Sequence, residues 1–374
     1  MRRTPRSLLG TLVAVGALIA GGALATPAAA GDAPDVDAPS ASAPDVDAHA
    51  ADAPDVDSHT VGAPDVDAPD VDVHPAVHVA AGTTAARQRV RGYWTADRMR
   101  DAVPLDQLAS GRADQRGTAA EARAPEGHAS TVTPVAPATS PSDIGTLAFP
   151  EGGAPWTGGG EIATTGGRVF FTYQGRDASC SGNAVNSANG STVMTAGHCV
   201  KMDGAWHTNW VFVPGYHDGQ APYGRWAAEA TLATPQWTAS EDINYDVGAA
   251  VVSELDGQRL TDVVGGQGLS FNSGYNREMY AFGFPAADPY DGETFTYCSG
   301  TSFRDFFLSR DHGLSCDMTG GSSGGPWLTD FDEATGTGLQ TSVNSFGYVF
   351  WPDTMFGPYF GDDARNLYDE AQAL

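Results

Sequence analysis

A serine enclosed by glycines near the end of the chain places the strongest limit on how this sequence can fold. The segment reads Gly-Gly-Ser-Ser-Gly-Gly-Pro at residues 320–326. Glycine adopts backbone conformations that residues with a Cβ resist, so the N–H groups of Gly321 and Ser323 can converge beside the Ser323 hydroxyl. Converging N–H groups stabilise the negative charge that develops on a carbonyl oxygen in acyl transfer. A glycine-rich turn explains the run equally well, so the other groups of a catalytic site decide between the two interpretations.

A candidate base lies upstream in the sequence Thr-Val-Met-Thr-Ala-Gly-His-Cys at residues 192–199. The pattern predicts a buried strand that runs into a turn of small residues and presents His198. A single histidine beside a cysteine is more often structural than catalytic. A serine hydroxyl attacks only when a neighbouring base takes its proton, however, so His198 and Ser323 in one chain favour a catalytic pair.

A carboxylate must then orient the imidazole and stabilise its cation. Asp246 directly precedes the small, apolar segment Val-Gly-Ala-Ala-Val-Val at residues 247–252, which predicts a strand. Asp242 is the alternative, but its surroundings are more polar. We therefore predict the catalytic order His198, Asp246, Ser323.

These three motifs resemble those of the chymotrypsin-like serine peptidases, specifically the glutamyl-endopeptidase-like and trypsin-like branch that actinobacteria secrete. The resemblance covers roughly residues 160–374. It implies an all-β, chymotrypsin-like fold of two packed six-stranded barrels, with a serine endopeptidase site between them. It also implies that the N–H groups of Gly321 and Ser323 form the oxyanion hole, the pocket that binds the developing negative charge.

Short apolar segments separated by Gly, Asn, Asp and Pro agree with such a fold. Residues 168–173, 210–213 and 279–282 are predicted strands, and residues 363–368 predict a short C-terminal helix.

The segment Asn-Ser-Phe-Gly at residues 344–347 resembles the family strand that pairs with the substrate backbone. By this resemblance Ser345 and Gly347 bind substrate. Asp317 lies six residues before Ser323, where trypsin-like enzymes hold the acid that binds Arg or Lys. An aspartate in this neighbourhood also occurs in Glu-specific relatives, so a basic preference is favoured only slightly and Glu specificity stays the alternative.

Two positions depart from the family pattern. Ser322 stands where trypsin-like zymogens carry the aspartate that binds the newly freed N-terminus, so activation through that ion pair is not expected. Asn344 stands where Glu-specific relatives tend to have a histidine that faces the substrate carboxylate. This substitution weakens the case for Glu specificity.

Other chemistries fit the sequence less well. A nucleophile elbow of the α/β-hydrolases needs its histidine after the serine, and no histidine follows Ser323. A zinc site built from Cys180, His198 and Cys199 would lack the usual ligand spacing, so we expect neither metal nor cofactor. A chymotrypsin-fold binding protein without catalysis remains the alternative from another class, although each catalytic position carries the residue that catalysis needs.

The chain has four cysteines, which allow more than one disulfide pairing. The resemblance supports Cys180–Cys199, which would brace the His198 turn. Cys298–Cys316 is then the second predicted bridge, with free buried thiols as the alternative.

The N-terminal residues predict export. Arg2, Arg3 and Arg6 precede an apolar stretch at residues 8–24, and the Ala-Ala-Ala segment at residues 28–30 is typical of a signal-peptide cleavage site. We therefore assign residues 1–30 to a signal peptide and expect a secreted, extracellular protein; the arginine pair leaves twin-arginine export open as well as general secretion. No later segment is long enough to span a membrane.

Residues 31–80 repeat Ala-Pro-Asp-Val-Asp, which predicts a disordered, acidic spacer because such a tract cannot bury apolar surface. Calcium binding by its aspartates is the alternative. Residues 81–144 are interpreted as a pro-region and linker, with a short helix near residues 93–100, that covers the active site or assists folding. Residues 145–374 are the predicted catalytic domain.

The formal net charge of −26 makes nucleic acid an improbable partner. A negative field favours protein or peptide substrates that carry positive charge, and it keeps molecules apart in solution. We therefore expect a monomer that acts on peptides.

Overall fold

Short strands joined by tight turns make up most of the computed structural model, which describes residues 74–109, 127–137 and 148–374. The predicted signal peptide, and the acidic repeat as far as residue 73, lie outside the described residues. The strands of the first part are β1 (Ala76–Val79), β2 (Val103–Pro104), β3 (Ser130–Val132), β4 (Glu151–Pro155), β5 (Gly166–Tyr173), β6 (Arg176–Ala184), β7 (Thr192–Thr195), β8 (Lys201–Met202), β9 (Ala205–Trp206), β10 (Thr208–Pro214), β11 (Trp226–Ala233) and β12 (Gly248–Val252).

The remaining strands follow along the chain, and the last element is a helix. The strands are β13 (Gly268–Phe271), β14 (Glu278–Gly283), β15 (Thr296–Thr301), β16 (Phe303–Arg304), β17 (His312–Ser315), β18 (Pro326–Asp332), β19 (Thr337–Val343), β20 (Phe346–Tyr348) and β21 (Trp351–Gly357). The helices along the chain are α1 (Thr84–Tyr93), α2 (Ala96–Asp101), α3 (Leu105–Leu108), α4 (Ile162–Thr165), α5 (Pro235–Ser240), α6 (Leu260–Val264) and α7 (Asp362–Ala373). One-turn 3-10 helices cover Gly197–Cys199 and Ile243–Tyr245.

The first half closes into a six-stranded barrel. Its strands pair in the order β10-β5-β6-β7-β12-β11, and β11 pairs back onto β10. Apolar side chains that alternate along these strands fill the interior, among them Val169, Phe171, Val193 and Phe212. Each is fully buried, which is the main source of the barrel's stability.

The second half is built from two sheets. One has seven strands in the order β3-β13-β19-β18-β14-β15-β4, and the other has four in the order β16-β17-β21-β20. The prediction of closed six-stranded barrels is thus confirmed for the first half, whereas the pairings described in the second half form two sheets. The β18–β19 and β20–β21 pairings contain register shifts. An irregular pairing of this kind interrupts the ladder and increases the local twist.

The predicted elements of the catalytic domain are confirmed. Residues 168–173 lie in β5, 210–213 in β10 and 279–282 in β14, while the C-terminal helix is α7. The helix predicted near residues 93–100 begins later, at Ala96, because the side chain of Thr95 caps its N-terminus. Trp94 precedes the helix and is fully buried.

The N-terminal segments belong to the same sheets as the predicted catalytic domain. β1 pairs with β11 along four residues, from Ala76 opposite Ala233 to Val79 opposite Ala230. β3 pairs with β13 in the second half. The expectation of disorder through residue 80 therefore extends too far for Ala76–Val79, whose Ala-Val-His-Val sequence has the apolar, β-branched residues that an edge strand needs.

Within the described ranges, none of the helices combines the length and the apolar character that a membrane span requires.

Candidate active site

His198 lies in the 3-10 helix that follows β7. The preceding Gly197 has no room for a side chain, because a Cβ would lie 2.7 Å from the Trp237 ring and 3.0 Å from Asp246 Oδ1. The Cys180–Cys199 disulfide joins the next residue to β6. These restraints hold the His198 ring in the interior, where the residue is only 2% exposed.

Asp246 holds His198 through two contacts. Its Oδ2 accepts a hydrogen bond from His198 Nδ1 at 2.7 Å, and its Oδ1 accepts one from the His198 backbone N–H at 2.8 Å. The hydroxyl of Ser345 donates a third hydrogen bond to Oδ2 at 2.6 Å. Asp242 instead accepts hydrogen bonds from the backbone and side chain of Asn244. Of the two aspartates that the sequence left open, Asp246 is the one that contacts His198.

The charge of Asp246 is retained despite complete burial. Burial raises the pKa of a carboxyl group, but the neighbouring His198 and the hydrogen bonds from His198 and Ser345 hold the Asp246 pKa below its ordinary value. An ionised carboxylate only accepts hydrogen bonds, so the proton between the two side chains lies on His198 Nδ1.

His207 supports the same turn from behind, and sequence reasoning missed it. Its Nε2 lies 2.8 Å from the carbonyl oxygen of His198, and its ring stacks on Phe171 with the centroids 4.3 Å apart. Burial lowers the pKa of His207 to about 4, so the ring is neutral near pH 7. A carbonyl only accepts, hence His207 carries its proton on Nε2 and donates it to the backbone of His198.

The loop that carries Ser323 depends on its glycines. Gly321 and Gly324 have φ of +100° and +81°, conformations that L-residues rarely adopt. A Cβ on Gly324 would lie 2.1 Å from Thr195 Oγ1, so the loop approaches the first barrel more closely than a side chain permits.

Ser181 of β6 joins this loop to the first barrel. Its backbone N–H donates to the carbonyl of Ser323 at 2.7 Å, and its hydroxyl donates to the carbonyl of Gly321 at 2.9 Å. The same hydroxyl accepts a hydrogen bond from the Phe284 N–H. Nothing in the sequence around Ser181 indicates this role.

Asn344 supports the loop from the second half. Its side-chain amide donates to the carbonyls of Phe282 and Ser322, at 2.8 and 2.9 Å, and its Oδ1 accepts from Trp327 Nε1 at 2.7 Å. Asn344 is fully buried. The residue whose type differs from Glu-specific relatives thus points into the protein and stabilises the loop.

A carboxylate from the N-terminal segment contacts both Ser323 and Gly321. The Ser323 hydroxyl donates to Asp106 at 3.3 Å to Oδ1 and 3.2 Å to Oδ2, and the Gly321 N–H donates to Oδ2 at 3.1 Å. The predicted nucleophile, Ser323, and the predicted oxyanion donor, Gly321 N–H, therefore both contact the carboxylate of Asp106. The sequence offered no signal for Asp106, which lies 217 residues before Ser323.

A cleft of about 670 Å³ opens beside Ser323. The predicted substrate-binding residues Asp317, Ser345 and Gly347 all line it. Asp317 is exposed and accepts a hydrogen bond from the Tyr290 hydroxyl at 2.6 Å. Burial, and then this hydrogen bond, raise the pKa of Tyr290. Ser345 is buried, and its hydroxyl points to Asp246, whereas Gly347 is exposed on β20.

Both predicted disulfides are confirmed, since Cys298 is bonded to Cys316 as Cys180 is to Cys199. The second bridge ties β15 to the segment that leads into the Ser323 loop. Across the described residues, the group whose possible metal-ligand atoms lie close together in space, within 4.8 Å of one another, consists of Cys180, His198 and Cys199. Its two sulfur atoms are bonded to each other, so neither is a thiolate that can bind a metal ion.

Two solved structures are similar to more than half of the chain. The protease Anisep from Arthrobacter nicotinovorans is 45% identical, with a TM-score of 0.54, over 56% of this chain and 96% of that one. The chain belongs to the chymotrypsin-like serine peptidases. The thermostable serine protease AL20 from an extremophilic microorganism is 39% identical, with a TM-score of 0.54, over 57% of this chain and 99% of that one. The present peptidase is therefore a serine endopeptidase that acts on peptides.

A curated relative matches a smaller region of the peptidase. An extracellular metalloprotease from Bacillus subtilis (strain 168) is 39% identical over 82 residues, which is 22% of this chain. The chain spans about a quarter of the length of this curated relative. No protein-family model matches the chain.

Proposed function

We propose that this protein is a secreted serine endopeptidase in which Ser323 is the nucleophile, His198 the general base and Asp246 the group that orients His198. The observation that carries the proposal is the shared contact of Ser323 Oγ and Gly321 N–H with one carboxylate. Nucleophile and oxyanion donor must both reach the reacting carbonyl group, and these two atoms reach one group here.

The mechanism follows from the hydrogen bonds of His198. With its proton on Nδ1, the neutral ring has a lone pair on Nε2 that takes the proton of Ser323 during attack on the peptide carbonyl. The ring then delivers this proton to the leaving amine. Asp246 stabilises the cation between these steps, and the N–H groups of Gly321 and Ser323 bind the oxyanion.

The charges of the cleft support a preference for a basic residue before the scissile bond. Asp317 and Asp353 both line the cleft, and among the described residues that line it there is no Lys, Arg or His. A substrate cation would gain attraction there, whereas a Glu side chain would meet like charge and no cationic partner. Basic specificity is therefore proposed over Glu specificity.

The proposal is tested by digesting a mixed peptide library with the secreted, processed protein and with its Ser323→Ala variant, and by reading each cut site by mass spectrometry. We expect cuts only from the unmutated protein, mainly after Arg or Lys. Cuts after Glu would reverse the proposed specificity. Equal cutting by the Ser323→Ala variant would exclude Ser323 as nucleophile.

The Asp317→Ser variant tests the source of the preference. Removing this carboxylate is expected to lower the ratio of cuts after Arg and Lys to cuts after other residues by about tenfold or more. Asp291→Ser is the matched control, since Asp291 is an exposed aspartate outside the cleft lining. An unchanged ratio in Asp317→Ser would assign the preference to other residues.

A further inference from the structure

The N-terminal segment of residues 74–109 is anchored on the first barrel. Its strand β1 extends the sheet beside β11, and Trp94 is fully buried with its Nε1 donating to the carbonyl of Asn209 at 2.6 Å. Asp177 on β6 accepts a hydrogen bond from the Tyr93 hydroxyl at 2.6 Å and forms an ion pair with Arg98 at 2.9 Å. These contacts bury apolar surface and fix the segment to the barrel.

From this anchor the chain runs into the cleft. Val103–Pro104 forms a short parallel pairing with Ala178 and Ser179 of β6. Leu105 follows and is fully buried in the core of the first barrel. The next residue, Asp106, enters the cleft, and Ala109 lines it as well. The path is thus fixed on both sides of Asp106 before its carboxylate meets Ser323.

The Asp106 carboxylate occupies the position of a reacting group without being able to react. Its Oδ2 accepts from Gly321 N–H at 3.1 Å, where the oxyanion of a substrate would develop, and the Ser323 hydroxyl donates to both oxygens. A carboxylate carbon resists nucleophilic attack, because attack would add a second negative charge to a group that is already an anion. The pocket therefore holds a charged mimic of the transition state and not a peptide bond.

The hydrogen bonds also change what Ser323 can do. A hydroxyl has one proton to donate, so the hydrogen bond from Ser323 to Asp106 competes with the transfer of that proton to His198. A hydrogen bond to a charged acceptor is stronger than one between neutral groups, which favours this arrangement over an open cleft.

We propose that residues 103–109 are a built-in inhibitor of this peptidase and that the Asp106 carboxylate is the ligand that blocks Ser323 and the oxyanion hole. The proposal rests on the proposed function, since it requires Ser323 to be the nucleophile. It also assigns a ligand class to the oxyanion pocket, namely a side-chain carboxylate delivered by the protein's own chain. Release of the segment from the cleft then activates the enzyme.

The experiment measures how fast a fluorophosphonate labels Ser323 in the full-length, uncleaved chain, which is separated by size from its processed products. The unmutated chain, Asp106→Asn and Asp106→Ala are compared. We expect Asp106→Ala to be labelled about tenfold faster or more, because it loses hydrogen bonds to a charged group. Asp106→Asn keeps the size of the side chain and one acceptor but loses the charge, so an intermediate rate is expected.

Asp101→Ala is the matched control, because Asp101 is an exposed aspartate in the same segment, at the end of α2. It should be labelled as slowly as the unmutated chain. Thermal unfolding of each variant identifies any that fails to fold, and Asp106→Asn then still tests the proposal because it preserves the shape of the segment.

The outcomes separate the two proposals. If the processed, unmutated protein is labelled but full-length Asp106→Ala and Asp106→Asn are labelled no faster than the unmutated chain, the built-in inhibitor is excluded and the proposed nucleophile stands. If neither the processed protein nor any full-length variant is labelled, Ser323 is not an activated nucleophile and the proposed function itself fails.

Discussion

The two halves of the peptidase hold their functional groups in different ways. In the first barrel, β7 and β12 are hydrogen-bonded neighbours with Thr195 opposite Gly248, so His198 just after β7 lies beside Asp246 just before β12. In the second half, the loop of Ser323 is held by side chains from outside the loop, Ser181 of the first barrel and Asn344 after β19. The pairing of His198 with Asp246 is therefore set within the first barrel, whereas the position of Ser323 depends on how the two halves pack.

The largest expected loss of activity comes from a substitution in the first barrel that leaves the structure of the second half intact. Asp246→Asn should lower kcat/KM on the order of 10⁴-fold, because the amide favours the wrong tautomer of His198. The Ser323 loop should keep its structure, so thermal stability should fall much less than activity. Steady-state kinetics and thermal unfolding measure the two quantities. Asp242→Asn is the control, and an equal loss of activity in it would undo the distinction between the two aspartates.

The next effect tests the second half, where activity and stability should fall together. Asn344→Leu leaves the Phe282 carbonyl and the Trp327 indole N–H without the Asn344 side chain that bonds them, while the Ser322 carbonyl keeps its hydrogen bond from the Gly325 N–H. We expect a loss of about 2–4 kcal/mol in the free energy of unfolding. Chemical denaturation and kinetics should show both losses. Asn366→Leu, at an exposed position of α7, is the control and should change neither by much.

A smaller effect is expected at the contact between the halves. Ser181→Ala keeps the backbone bond to Ser323 but removes the hydroxyl that links Gly321 and Phe284, which should cost about 1–3 kcal/mol in unfolding free energy. Because this hydroxyl orients the oxyanion donor, kcat should fall more than KM rises. Ser270→Ala, at a buried position on β13, is the control. A pure KM effect in Ser181→Ala would mean that the loop is positioned without Ser181.

The smallest effect concerns pH and a second contact between the halves. Glu161 lies before α4, its backbone N–H donates to Thr335, its Oε1 accepts from the Gly266 N–H, and burial raises its pKa from 4.5 to about 7. The folded state binds the Glu161 proton more tightly than the unfolded state. The stability that protonated Glu161 contributes is therefore fully present below pH 4.5 and is lost as the pH rises through about 7.

Glu161→Gln keeps the acceptor and cannot ionise. It should remove this fall and gain about 1–2 kcal/mol of stability above pH 7 relative to the unmutated protein. Unfolding measured between pH 4 and 8 checks the slope, with the exposed Glu278→Gln as control. An unchanged slope in Glu161→Gln would show that Glu161 does not cause it.

Sequence reasoning succeeded where the chemistry is local. The strand before His198 and the strand after Asp246 follow from short apolar segments, and the glycines around Ser323 follow from the backbone conformations that the loop needs. It failed for Ser181 on β6 and for His207 and Asn344, which lie directly beside strand ends, because such a residue has the same local pattern whether or not it supports a site. Their roles depend on partners that are far away in the chain.

The sequence by itself determined the types and the order of the candidate catalytic residues and the sites of several strands, because side-chain periodicity and backbone preference act over a few residues. The tertiary structure decided which aspartate meets His198, what holds the Ser323 loop and which residue occupies the cleft. The contact between Asp106 and Ser323 spans 217 residues. A contact of that kind follows from the packing of whole strands and segments, which no local pattern encodes.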